Sequence, residues 1–289
     1  MKKDIVFSAI ESPITCWYKE KPLSNASSFH AHNGYEIICF LGGNVNIYYE
    51  KDSIKLHPGD IVLIPPYVFH RGYQEKNLQY IRDIMNIRED YTIPGHETDF
   101  KNILQVFFSD DNEKILFLHP KAHVFARIHE LMKKLSEIVF DPKAEFKQLL
   151  IDAYTSQILT TLYTMQQHRR LNFSSDNFQT MQVPSYIIQT FQYINLHLLE
   201  EIHLDTLAEL SHINKYYLCR SFRSYTGISI GQYIIEKRLI LATKKIQAGI
   251  SPSDACFQSG FNNYPNFSRT FSKRIGLSPK AYQMSVLAK

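Results

Sequence analysis

Fourteen residues near the C-terminal end of the chain occur twice. The stretch YYLCRSFRSYTGIS, Tyr216 to Ser229, returns as PNFSRTFSKRIGLS, Pro265 to Ser278. Arg220 and Arg269 stand 49 positions apart, and the same offset relates Leu218 to Phe267, Phe222 to Phe271, Gly227 to Gly276, Ser229 to Ser278 and Tyr233 to Tyr282. A register held over that many positions restricts the chain to an architecture that uses one helical unit twice. Within each copy, Leu218, Phe222 and Tyr225, or Phe267, Phe271 and Ile275, recur at steps of three and four, the spacing of a buried helical stripe. Arg220, Arg223, Arg269, Lys273 and Arg274 fall off that stripe. Each copy therefore reads as an amphipathic helix with a basic outer face.

A shorter helix precedes each copy. In LDTLAELSHI the residues Leu204, Leu207, Ala208 and Ile213 are placed to pack behind the first basic helix. In SPSDACFQSGF, Ser251 suits the cap, Pro252 the first helical position, and Asp254 a capping box, after which Gly260 supplies the tight turn before Asn263 opens the next helix. The first copy carries His212 where the second has Gly260, in a turn one residue shorter, which predicts either slight strain or a different register there. Short helix, turn and basic helix form the plan in which the second helix enters a DNA major groove. Between the copies, Ile235, Leu239, Ala242, Ile246 and Gly249 repeat at steps of four and three, so the connection reads as one helix. From Ser229 to Ala248 it spans about 30 Å at 1.5 Å per residue. Successive major grooves on one face of DNA are ~34 Å apart, so the two copies are predicted to read adjacent grooves.

Charge supports that division of labour. Before Pro184 there are 20 Lys and Arg against 22 Asp and Glu; from Pro184 onward there are 12 against 6, and the two parts give the chain's net +4. The basic excess lies where the repeat lies, and displaced phosphate counterions would supply sequence-independent affinity. The polar stretch Leu171 to Val183 interrupts the apolar periodicity and reads as a linker. No window approaches the ~18 uninterrupted apolar residues of a membrane span, and Asp4 and Glu11 interrupt any signal-peptide core, so a cytoplasmic protein without a membrane partner is expected. Cys16, Cys39, Cys219 and Cys256 lie far apart with no C-x-x-C spacing, which predicts reduced thiols rather than a disulfide framework or a structural zinc site.

The succession IHLDTLAEL, NKYYLCRSFRSYTGISIGQYI, EKRLILATKKI and SPSDACFQSGFNNYPNFSRTFSKRIGLSPKAYQ resembles the DNA-binding domain of AraC/XylS-type bacterial transcription regulators over Pro184 to Gln283. The resemblance implies a seven-helix domain with two helix-turn-helix units. It places Lys215, Tyr216, Cys219 and Arg220 on the base-facing side of the first recognition helix, and Asn263, Tyr264, Asn266 and Arg269 on that of the second. Cys219 and Pro265 depart from the family's usual hydrogen-bonding side chains. Arg223, Lys273 and Arg274 are expected to hold phosphates. Arg220 and Arg269 are the expected base readers, because a guanidinium can donate two hydrogen bonds to guanine. Tyr216, Tyr217 and Tyr264 are also open to a packing role at the helix starts.

The N-terminal part has a different pattern. YEIICFLGGNVNIYYEKDSIKLHPGDIVLIPPYVFHRGY is rich in β-branched and aromatic residues punctuated by Gly42-Gly43, Lys51-Asp52, Pro58-Gly59 and Pro65-Pro66, which predicts a small antiparallel β-barrel. His30, His32 and Glu36, followed by Gly59, Pro65 and His70, resemble the cupin signature, and the family precedent makes such a barrel the effector sensor. His30, His32, Tyr35, Glu36 and His70 are its candidate effector pocket. Imidazole and carboxylate at this spacing also fit an Fe, Mn or Ni ion, as in cupin enzymes, so His30, His32, Glu36 and His70 are candidate metal ligands. The expected reading is a polar cluster without a metal or other cofactor.

Two helices follow. Ile128, Leu131, Leu135 and Ile138 form one stripe, and Leu150, Tyr154, Ile158 and Met165 another. The resemblance implies that part of this pair makes a homodimer contact. The expected organisation is α+β and multidomain: a cupin-like barrel over residues 1–115, a helical dimerisation segment over 116–170, a linker over 171–183 and a double helix-turn-helix domain over 184–289. The resemblance implies an effector-responsive regulator, not an enzyme, that binds promoter DNA and a small-molecule effector and contacts RNA polymerase as an activator. A sugar is the expected effector, with Trp17, Tyr35 and Tyr48 as stacking surfaces. A metal-dependent cupin enzyme, or a barrel that only dimerises, are the alternatives.

Overall fold

A computed structural model describes residues 7–8, 10, 12–20, 28–50, 52–74, 79–108, 115–170, 180–181 and 183–287. The N-terminal half holds the strands β1 (Phe7–Ser8), β2 (Ile14–Lys19), β3 (Ala31–His32), β4 (Gly34–Gly43), β5 (Val45–Tyr49), β6 (Ser53–Lys55), β7 (Ile61–Ile64), β8 (His70–Gln74), β9 (Tyr80–Arg88) and β10 (Leu116–Leu118). A five-stranded antiparallel sheet runs β10-β7-β4-β9-β2. A four-stranded sheet runs β11-β6-β5-β8, where β11 (Thr180–Met181) pairs with β6 from the far side of the chain's midpoint.

Strand β4 shows why its sequence is apolar almost throughout. Alternate side chains of a strand point to opposite faces. Ile38 and Phe40 enter the core between the sheets with Ile47, Leu56 and Ile64. Ile37 and Cys39 face the other way, into a second core. That second core is closed by helices α1 (Glu97–Phe108), α2 (Ala122–Phe140) and α3 (Lys147–Arg170), through Phe100, Leu104, Ile128, Leu131, Leu135 and Ile158. The stripes on α2 and α3 are therefore spent largely on this chain's own core, with Ile138, Tyr154 and Met165 partly buried against it. The barrel also extends past residue 115, because β10 is an edge of its larger sheet. Of the expected linker, residues 171–179 and 182 lie outside the described residues, and Thr180–Met181 belong to the barrel's smaller sheet.

The C-terminal half is helical: α4 (Ser185–Leu196), α5 (Leu204–Leu210), α6 (Lys215–Thr226), α7 (Ile230–Gln247), α8 (Pro252–Phe257), α9 (Tyr264–Ile275) and α10 (Pro279–Leu287). The repeat is explained by its helix ends. Asn214 caps α6 by accepting from the Tyr216 N–H at 2.8 Å, and Asn263, 49 positions on, caps α9 by accepting from the Asn266 N–H at 2.9 Å. Gly227 and Gly276 close the same helices in the left-handed conformation, with φ of 79° and 84°. Gly227 has a second duty, since a Cβ there would meet Ser28 Cα of the barrel at 2.8 Å, whereas one on Gly276 meets nothing within 4 Å.

Both turns that precede the recognition helices are left-handed as well. Gly260 takes φ 87° and His212 takes φ 52°, so the shorter first turn forces a non-glycine residue into a strained region. The turns are otherwise alike: the Ile213 N–H bonds to the Ala208 carbonyl at 3.1 Å, and the Phe261 N–H to the Cys256 carbonyl at 3.2 Å. Ser251 caps α8 as expected, accepting from the Asp254 N–H at 3.1 Å. Leu207 and Ala208 bury behind α6, while Leu204 is exposed. Helix α7 serves two cores. Ile230, Tyr233 and Ile240 pack toward α6, and Leu239, Ala242 and Ile246 pack toward α9, which leaves Ile235 exposed rather than buried as its spacing had suggested.

Barrel and helices share one core. Phe29, Ala31, Tyr67 and Phe69 pack with Phe191, Phe222, Ile228 and Tyr233. The Phe29 ring lies 5.9 Å from Phe191 and edge-on to Tyr225 at 5.8 Å, and Phe69 lies 5.1 Å from Tyr233. The Phe29 N–H donates to the Thr226 carbonyl at 2.6 Å, joining the two halves through backbone.

Candidate functional site

On α6, Tyr216 is 71% exposed, and Arg220 and Arg223 are exposed beside it. On α9, Asn266, Arg269 and Lys273 are exposed. The opposite faces carry Leu218 and Phe222, or Phe267 and Phe271, all fully buried. The two helices thus present chemically matched outer faces, one from each end of the 18-residue α7, about 27 Å long at 1.5 Å per residue.

Several expected readers are placed differently by their surroundings. Arg274 turns inward: its Nε lies 2.8 Å from Oε1 of Glu236, a fully buried carboxylate on α7, so it is an internal ion-pair partner rather than an open phosphate ligand. Burial pushes the Glu236 carboxyl up to about 7, with the Arg274 charge pulling back. Lys215 is drawn to Asp205 at 2.8 Å. Cys219 is half-buried against the first core, and Tyr264 is half-buried with its ring 5.8 Å from Phe267. Asn263 spends its side-chain oxygen on the α9 cap.

A set of contacts that no spacing announced holds the helices to the barrel. Glu50 accepts from Tyr233 Oη at 2.5 Å, from Lys237 Nζ at 3.1 Å and from Asn195 Nδ2 at 2.8 Å. Tyr225 Oη donates to the Tyr49 carbonyl at 2.9 Å, and Arg71 Nη1 to the Ser224 carbonyl at 3.3 Å. Gln247, the last residue of α7, donates to Glu89 Oε1 at 2.7 Å, and Tyr67 Oη donates to the same oxygen. These contacts use the backs of α6 and α7 and leave Tyr216, Arg220 and Arg269 exposed.

Inside the barrel, His32, Glu36 and His70 come together, with 5%, 7% and 2% of their surfaces exposed. Glu36 Oε2 lies 3.3 Å from His32 Nε2 and 3.0 Å from His70 Nε2. Burial alone would raise the Glu36 carboxyl, but the hydrogen bonds and charges of His32 and His70 outweigh it and hold the group well below the usual carboxylate range. His30 sets its ring 4.4 Å from that of His70, tilted by 54°, and stands outside this three-residue group. Burial, and then the neighbouring His70, push the His30 imidazole down to about 3.

Tyr35 faces elsewhere. Its ring stacks on Phe108 at 5.1 Å, at the edge of a cleft of about 810 Å³ between the barrel and α1 that Glu89, Tyr91, Lys101, Asn102 and Gln105 also line. None of the three clustered residues lines that cleft. Trp17 pairs with Phe140 at 6.4 Å, and Tyr48 packs on Tyr225 at 5.0 Å in the seam between the halves. Of the three expected stacking residues, only Tyr35 borders the cleft. All four cysteines are free thiols. No helix among the described residues is long and apolar enough to cross a membrane.

A barrel closed by helices and joined to two capped, outward-facing basic helices defines a two-part regulator: a ligand-binding domain and a DNA-binding domain. The AraC-like ligand binding domain family matches residues 18–159, and the helix-turn-helix domain family matches residues 207–285. The probable transcriptional regulator LumQ of Photobacterium leiognathi is 25% identical over 271 residues, covering 93% of this chain and 97% of that protein. The uncharacterized HTH-type transcriptional regulator YdeC of Bacillus subtilis is 20% identical over 280 residues, 95% of this chain and 92% of YdeC. The regulatory protein SoxS of Salmonella typhimurium is 32% identical over 99 residues, 34% of this chain and 92% of SoxS. The chain belongs to the AraC/XylS family of transcription regulators.

Proposed function

We propose that this regulator is an effector-responsive activator whose two recognition helices read adjacent major grooves. The observation that carries the reading is the pair of helices α6 and α9, each capped by an asparagine and closed by a left-handed glycine, with exposed arginines at equivalent positions on either end of α7. In this reading Arg220 and Arg269 each donate two hydrogen bonds to a guanine, Tyr216 and Asn266 add neighbouring contacts, and Arg223 and Lys273 hold phosphates. Promoter-bound protein, as a homodimer, then recruits RNA polymerase. The activator role draws support from relatives such as the HTH-type transcriptional activator AarP of Providencia stuartii, which is 28% identical over 119 residues, 41% of this chain and 88% of AarP.

The effector is a small polar molecule with a face that can stack, and a sugar fits that description. Its place is the cleft beside Tyr35, whose volume of about 810 Å³ lies within the ~300–1,000 Å³ common for ligand sites. Glu89 connects that cleft to Gln247 at the end of α7, so a ligand that engages Glu89 changes the hold of the barrel on the helix joining the two reading heads. A thermal-shift screen of sugars and other small metabolites tests this, because a ligand of the folded state raises the melting temperature with concentration. The expected result is a ligand whose shift is lost in Tyr35→Ala and Glu89→Gln. A barrel that only dimerises gives no such ligand, and a shift unchanged by both substitutions places the effector elsewhere.

A further inference from the structure

Tyr225 and Arg274 stand at the same place in the two copies, 49 positions apart, on the last turns of α6 and α9. Each ties down its own helix at that end. Tyr225 Oη donates to the Tyr49 and Asp52 carbonyls of the barrel at 2.9 and 3.1 Å. Arg274 reaches α7 instead, where its Nε lies 2.8 Å from Oε1 of Glu236. The first reading helix is thus tied to the barrel, and the second to the helix that joins the two.

Glu236 sits where the two cores of the helical half meet. Tyr233, on the preceding turn of α7, packs on Phe222 at 5.7 Å, and Leu239, on the following turn, packs with Phe267 and Phe271. Ile275, beside Arg274, packs against both cores. Glu236 is fully buried, the Arg274 side chain is 19% exposed, and Arg274 is the one cation facing Glu236 among the described residues. Apolar burial is non-directional and leaves packed helices free to tilt by small amounts. A buried ion pair is not so tolerant, because moving either charge off the other leaves both desolvated and unpaired. The pair therefore fixes orientation at the junction of the cores.

A small tilt matters because of the length of the helix. The 12 residues of α9 span about 18 Å at 1.5 Å per residue. A tilt of about 10° about the anchored end moves the far end by ~3 Å, close to the ~3.4 Å rise of one base pair. We infer that Glu236 and Arg274 are positioning residues that hold α9 at one angle on α7 and so restrict the protein to one separation between the two base clusters it binds. This restriction rests on the reading proposed above, in which both recognition helices enter adjacent grooves. Arg274 acts through Glu236 and not through a phosphate, and the base contacts are left to Arg269 and its neighbours.

The test measures DNA binding of the full chain by fluorescence anisotropy at pH 8, above the titration of Glu236. The probes are the site that the wild type selects from random DNA and the same site with one base pair inserted or removed between its two clusters. The wild type is expected to lose about tenfold or more on either change, since one helix is carried off its bases. Arg274→Met and Glu236→Gln are expected to bind all three probes within about threefold of one another. The double variant Glu236→Leu/Arg274→Met leaves no buried charge unpaired, so it is expected to melt close to the wild type and still bind the three probes alike. Discrimination that returns with stability in the double variant marks a merely structural pair and overturns the inference, as does wild-type discrimination in both single variants. The salt dependence of binding is expected to be the same in Arg274→Met as in the wild type; a logarithmic slope smaller by about one marks a phosphate ligand and overturns the positioning role. A wild type indifferent to the spacing refutes the reading by two helices, and the inference with it.

Discussion

Removing the Glu50 side chain is expected to loosen the DNA-binding domain from the barrel without touching either recognition helix. Glu50 and Lys237 have side chains only 12% and 14% exposed, so Glu50→Ala leaves an ammonium group nearly buried beside the Tyr233 hydroxyl with its main acceptor gone. Truncating one member of a buried pair costs about 3–5 kcal/mol. Hydrogen bonds to a charged group contribute ~1.5–3 kcal/mol each, and part is recovered because Asn195 can turn to water. A loss of roughly 3–4 kcal/mol follows for the variant. Glu50→Gln keeps two acceptor contacts and loses the charge, so its cost is smaller, about 1–2 kcal/mol.

Differential scanning calorimetry of the full chain reads this directly. One core is shared between the halves, so the wild type is expected to unfold in one main transition, and Glu50→Ala to lower it by roughly 5–10 °C or split it in two. Circular dichroism at the helical band then shows the helices melting ahead of the barrel. A Glu50→Ala protein that melts as one transition within about 0.5 kcal/mol of the wild type, the range of a neutral surface change, refutes the clamp.

Three further outcomes concern single residues. His212→Gly relieves a left-handed non-glycine position and is expected to stabilise the chain by about 0.5–1 kcal/mol in urea unfolding, after the entropic cost of glycine. Gly260→Ala, in the equivalent turn, is expected to cost more than ~2 kcal/mol, since its Cβ would meet the Leu198 carbonyl oxygen at 2.7 Å and its φ is 87°; equal effects at both turns contradict this reading. Glu236 gives a pH dependence of definite sign. Its folded-state pKa is raised to about 7, so the folded chain keeps a proton that the unfolded chain releases near 4.5. Stability from this group is full below about pH 4.5 and lost as pH rises toward 7, by up to ~3 kcal/mol. Subtracting the Glu236→Gln profile from that of the wild type, measured between pH 5 and 8, isolates this slope, and a flat difference contradicts it.

What the sequence disclosed was mostly local. The 49-residue repeat foretold α6 and α9, because capping asparagines, closing glycines and a buried Leu/Phe stripe are short-range signals that reappear in register. The strain at His212 was legible for the same reason, as a turn short by one residue with no glycine. Helix α1 does not stand out in the sequence although Phe100, Leu104, Phe107 and Phe108 follow helical steps, because it lies between two strands of the larger sheet, amid β-rich stretches. Arg274 looked like a phosphate ligand because periodicity places it off the stripe. Only its partner Glu236, on another helix, shows that it turns inward.

Long-range contacts were beyond reach. Glu50 and Lys237 are 187 residues apart, and Glu89 and Gln247 are 158 apart, so no spacing rule connects them. The barrel cluster fell between these cases. The alternation of His30 and His32 put both on one side of the chain, but the hydrogen bonds that aim His32 and His70 at Glu36, and leave His30 outside, come from backbone carbonyls that folding positions. Tyr35, grouped with those residues by proximity in sequence, belongs to the opposite face of β4 and to the cleft beside α1.

In the proposed reading, one chain reads two adjacent grooves with two unlike heads. Selection of bound sequences from a random DNA pool by the full-length wild type, Arg220→Ala and Arg269→Ala tests it most directly. The wild type is expected to select an asymmetric site with two information-rich clusters about 10 base pairs apart. Each substitution is expected to cost roughly 1–3 kcal/mol and to erase preference in one cluster only, a different one for each arginine. Loss of preference at the same base pairs in both variants, or a palindromic site that is indifferent to Arg269, would contradict the two-headed reading.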